Sequence, residues 1–100
     1  MATPEQVEGL LTRMRKMSAA DLSVLAACTQ TPESGMTTAP DSPNEVLWSE
    51  MVALGWMTVK DDELELTEGF LFPMKIYNIR PEGLEPISNL LAALQNKPGN

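Results

Sequence analysis

One hundred residues supply enough chain for one hydrophobic core and too little for a second, so residues 1–100 are read as a single domain. Apolar residues make up 43% of the chain, but only five are aromatic and seven are Met, which predicts an aliphatic, adaptable core. A formal net charge of −7 opposes non-specific attraction to nucleic acid, while the absence of His and the single Cys28 remove zinc sites, internal disulfides and the usual base for a Ser or Cys nucleophile.

No apolar run approaches the roughly 20 residues of a membrane helix, and the opening MATPEQVEGL lacks the basic and apolar regions of a secretion signal. The expectation is a cytoplasmic protein with no membrane segment. Three signals mark the first helix: Thr3 as N-cap, Pro4 at the first helical position and Gln6 placed for a capping box. Val7, Leu10, Leu11, Met14 and Met17 share its apolar face, and Arg13, Arg15 and Lys16 fall in its last turns, where cations suit the negative helix end. Ser18 and Asp21 repeat the cap spacing for a short second helix with Leu22, Leu25 and Ala26 as its stripe. Cys28, near its end, is expected to be a plain buried thiol.

Residues 30–43, QTPESGMTTAPDSP, carry three prolines and a glycine among polar residues and predict a long mobile loop. Ser42, Pro43 and Glu45 then open a third helix as clearly as the first. Val46, Leu47, Met51, Ala53 and Leu54 form its stripe, Gly55 fits the left-handed stop, and Trp56 can fold back on the last turn. Trp48 lies off that stripe, either filling a groove against the last helix or crossing the surface.

From Trp56 the period shortens toward two, predicting a hairpin of WMTV and ELELT joined by an acidic KDD turn, with one wet face. FLFPMKIYNI is a possible further strand, with Pro73 confining it to an edge or a bulge. Ile87, Leu90, Leu91 and Leu94 recur at helical spacing in a closing helix, Pro86 being tolerable in its first turn, and residues 97–100 form a frayed tail. The class is mainly α with a small antiparallel sheet (α+β), in the order α-α-α-β-β-(β)-α. Its core is expected to hold Leu10, Met14, Leu25, Leu47, Leu54, Leu66, Ile76, Leu90 and Leu91.

Leu54-Gly55-Trp56 leading into a wing that ends Leu66-Thr67-x-Gly69 resembles winged helix-turn-helix domains, especially those of the multiple-antibiotic-resistance repressor type. The resemblance covers residues 43–69 and implies a reading helix, a wing and a DNA-binding regulator. The charges depart from that pattern. The third helix carries Glu45 and Glu50 and no cation, and the wing offers Asp61, Asp62 and Glu63 beside Lys60 alone.

Two functional readings follow. The first is a non-enzymatic protein-interaction module using Trp48, Asp61, Asp62, Glu63 and Glu65, with a partner of basic surface or a second copy of the chain. The second is a DNA-binding regulator using Arg13, Arg15, Lys16 and Lys60. An enzyme is not expected, because Glu63 and Glu65 on an exposed hairpin lack the dry cleft that would separate their pKa values. Neither a cofactor nor a metal is expected, since Asp61 and Asp62 fall well short of a calcium ligand set.

Overall fold

A computed structural model describes residues 2–39 and 42–95; the expected tail at 97–100 lies outside the described residues. Its elements are α1 (Pro4–Met14), α2 (Ala19–Gln30), a 3-10 turn (Pro32–Ser34), β1 (Met36–Thr38), α3 (Pro43–Ala53), β2 (Met57–Thr67), β3 (Phe70–Ile79) and α4 (Pro81–Gln95). The strands form one antiparallel sheet in the order β1-β3-β2, so the chain is a mixed α+β fold.

The helix starts follow their sequence signals where the cap atoms are free to bond. Thr3 and Gln6 close the capping box of α1 with bonds of 2.9 and 3.1 Å, and the Ser18 hydroxyl accepts from the Asp21 N–H at 3.1 Å. Ser42 occupies the N-cap of α3 but makes no side-chain capping bond, and neither its Oγ nor the Oε2 of Glu45 has a partner among the described residues.

The third helix ends as its sequence predicts. Gly55 adopts φ 81°, its N–H donates to Val52 O, and the Trp56 N–H reaches back to Met51 O, each at 2.9 Å. That pair of bonds satisfies carbonyls the helix would otherwise leave open, and the positive φ strains any residue with a Cβ. Trp56 is thereby turned into the core, together with Leu10, Met14, Leu25, Leu47, Met51, Met57, Tyr77 and Ile87.

Two expectations about strands are corrected. Residues 30–43 are not a loop throughout: β1 pairs with β3 through Met36↔Tyr77, Thr37↔Ile76 and Thr38↔Lys75, burying Met36 and Thr38. The Asn78 amide also donates to Pro32 O at 3.1 Å, fastening the 3-10 turn to β3. Nor does the chain turn at Lys60-Asp61-Asp62. β2 runs straight through these residues, the turn falls at Glu68-Gly69, and FLFPMKIYNI is the return strand. The stretch ELELT therefore ends the outgoing strand, at the tip of the hairpin.

Leu66, expected in the core, is consequently 59% exposed, while Leu54, Ile76 and Leu91 are only half-buried. The last helix starts at Pro81, which places Pro86 beyond the first turn, where with no N–H it cannot make the usual helical bond to Glu82 O.

Trp56 also fixes the entry of α4. Its carbonyl accepts the Arg80 N–H at 2.8 Å, and Gly83 passes so close that a Cβ there would collide with the Trp56 carbonyl and Cα. Gly83→Ala is expected to destabilise the fold by about 1–3 kcal/mol, as overpacking against fixed backbone does. Urea unfolding of the two proteins measures it, and a loss under about 0.5 kcal/mol would show that the α4 entry is not tightly fixed.

Candidate functional site

The hairpin is longer than the body can cover. At roughly 3.4 Å per residue β2 alone runs about 35 Å, more than the molecule's two shorter dimensions of 27 and 23 Å, so the hairpin lies along the 52 Å axis. β1 covers only Lys75, Ile76 and Tyr77 of β3. Beyond Lys75 the sheet is a two-stranded arm, residues 62–74, with no third strand among the described residues. Pro73 sits within this arm, where β3 has a neighbour on one side only, as its missing N–H requires.

Alternation along paired strands sorts the arm's side chains between two faces. Pairing of Asp61↔Lys75, Glu63↔Pro73 and Glu65↔Leu71 puts three carboxylates on one face. The pairs Asp62↔Met74 and Leu64↔Phe72 stand on the other, joined by Phe70, whose ring centroid is 5.3 Å from that of Phe72. A register shift between Glu65 and Thr67 leaves Leu66 as the extra residue of a bulge, in step with Leu64.

The result is a ribbon with an acidic face and an apolar face, and both stand in solvent. Leu64, Leu66, Phe70, Leu71 and Phe72 are all exposed, Leu66 and Phe70 at 59%. Asp62 is separated from the other acids, and its Oδ1 accepts the neighbouring Glu63 N–H at 2.8 Å. Glu68 extends the acidic character to the tip, leaving Lys60 and Lys75 as the only cations on β2 and β3.

No family model, curated protein or solved structure matches the chain.

Trp48 does not belong to this surface. It is 3% exposed, packed with Leu47 and Met51 on the buried side of α3, while Val46 and Ala53 of the expected stripe face out. The buried stripe is rotated about the helix axis because the wide indole fills the core better than Val46 does.

Of the cations expected at a nucleic-acid surface, Arg13 on α1 pairs with Glu50 of α3 at 3.1 Å. Arg15 and Lys16 are exposed just past the end of α1, and Lys60 lies on β2, so the four are divided among α1, the turn after it and β2. Burial pushes the Cys28 thiol up from its ordinary pKa, which suits a packed thiol and not a nucleophile. Among the described residues no three His, Cys, Asp or Glu side chains gather as a metal ligand set, and no helix is long and apolar enough to cross a membrane.

A concavity of about 610 Å³ lies between α1, α4 and the turn after α3, lined by Leu11, Trp56, Glu82, Asn89 and Leu90 among others. Trp48→Ala is expected to cost about 3–5 kcal/mol of stability, the range for truncating a buried aromatic residue. Chemical denaturation checks it, and a cost below about 1 kcal/mol would return Trp48 to the candidate surface residues.

Proposed function

We propose that the chain is a small non-enzymatic interaction module of winged-helix-like build that works in the cytoplasm by binding another protein through the acidic face of its hairpin arm. One observation carries the reading: the arm projects past the core with Asp61, Glu63 and Glu65 together on one face. A concentrated negative face raises the encounter rate with a surface rich in Lys and Arg and disfavours acidic competitors.

The winged-helix likeness is supported by the passage from α3 through Leu54, Gly55 and Trp56 into a projecting hairpin, although β3, not the Leu66 segment, is the return strand. A protein ligand is favoured over DNA because α3 bears only Glu45 and Glu50 as charged groups, and Glu50 already faces Arg13. Phosphate contacts supply most nucleic-acid affinity, and this helix has no cation to make them.

Replacing Asp61, Glu63 and Glu65 with Lys tests the reading. The variant should keep its unfolding temperature to within a few degrees, because all three side chains are exposed. A partner retained from native extract after nuclease treatment should associate with it at least about tenfold more slowly at low salt, with the difference shrinking as salt rises. Recovery of nuclease-sensitive DNA in place of a protein would favour the regulator using Arg13, Arg15, Lys16 and Lys60.

A further inference from the structure

We infer that the apolar face of the arm packs against the same face of a second copy of this chain. An isolated two-stranded hairpin is marginal in water, and stability comes from covering a hydrophobic face. Here Leu64, Leu66, Phe70 and Phe72 are presented together on one ribbon face, and among the described residues strand cover of β3 on that side stops at Thr38, opposite Lys75. Contiguous exposed apolar surface of this kind marks an interaction site more often than an accident.

The distribution of charge selects the occupant and the geometry. With Asp61, Glu63 and Glu65 on the opposite face, two arms stacked through their apolar faces keep these three carboxylates outermost and apart, and Asp62, which shares the apolar face, stands at its base end beside Met74. Ribbons of equal twist stack in near alignment about 10 Å apart, and a two-fold axis makes each face its own complement.

The alternative way to join two copies is through the free outer edge of β2. That would set Asp61, Asp62, Glu63 and Glu65 of one strand against the same run of the other, and like charges placed opposite each other protect an edge from pairing. Four side chains of which about half of some 200 Å² each is exposed offer roughly 400 Å² per copy, so the pair would bury close to 800 Å² before any contact from the body. That area is smaller than a stable specific interface buries, so the pairing is weak and reversible and shows only as protein concentration rises. This inference does not depend on a basic partner, since it uses the opposite face of the arm.

Sedimentation equilibrium of the full chain over a range from about 1 to 500 μM tests it directly. The wild type should shift from monomer toward dimer across that range, and a monomer throughout would overturn the proposal. The paired substitution Phe70→Glu and Phe72→Glu should weaken the dimer at least about tenfold, while Asp61→Lys with Glu65→Lys should change it less than about twofold. If the Lys variant instead strengthens self-association strongly, the copies meet through the β2 edge and the face-to-face arrangement is wrong. Should the Glu variant fail to fold, Leu64→Cys should form a disulfide between copies under mild oxidation and Glu63→Cys should not; the reverse pattern would contradict the inference. Loss of dimer with the acidic-face partner retained separates failure here from failure of the proposed function.

Discussion

The backbone of Trp56 is the point on which the rest of the fold depends. Its N–H closes the end of α3 on Met51 O, its carbonyl holds the Arg80 N–H at 2.8 Å, and Gly83 rests against it. One residue therefore ties together the end of a helix, the start of β2, the end of β3 and the entry of α4. Met57↔Ile79, the first pair of the hairpin, is set immediately beyond this tie, with both side chains buried. From there the two strands continue in register through Leu64↔Phe72, far past the point where helices or β1 can cover them.

An arm built this way has a firm base and an uncovered end. At the base, Tyr77 is buried under the helices and Ile76 is half-covered by β1 and the chain leading into it, so both faces of the sheet have neighbours. Toward the tip the same alternation continues with no described element laid against it. The carboxylate face is stable in water without further contact, but the Leu and Phe face is not, and this asymmetry underlies the two binding roles assigned to the arm. Burying apolar area supplies affinity with little direction, whereas surface charge acts on association rate and discrimination.

How much of this was legible in the sequence depended on how local each signal was. The starts of α1 and α2 and the stop at Gly55 rest on atoms within five residues of each other, and the local order of residues placed them. β1 was hidden because Met36-Thr37-Thr38 is a strand only by virtue of Ile76 and Tyr77, some forty positions later. The hairpin turn was misplaced because Lys60-Asp61-Asp62 looks like a polar turn, although an arm in solvent accepts charged residues in mid-strand. Assigning Leu66 to the core followed from the same error, since alternation shows that a strand has two faces but not whether either one is covered. Of the candidate partner-binding residues, Asp61, Glu63 and Glu65 are brought onto one face, Asp62 is set on the other, and Trp48 is withdrawn into the core.

The central claim is that residues 62–74 form a ribbon whose apolar face is exposed in one copy and covered by another. Amide hydrogen exchange followed as a function of protein concentration measures this at the residues concerned. Protection of the Glu63–Phe72 segment should rise with concentration while that of α1, α3 and α4 stays constant. An arm whose exchange is independent of concentration, with the helices behaving likewise, would contradict the account.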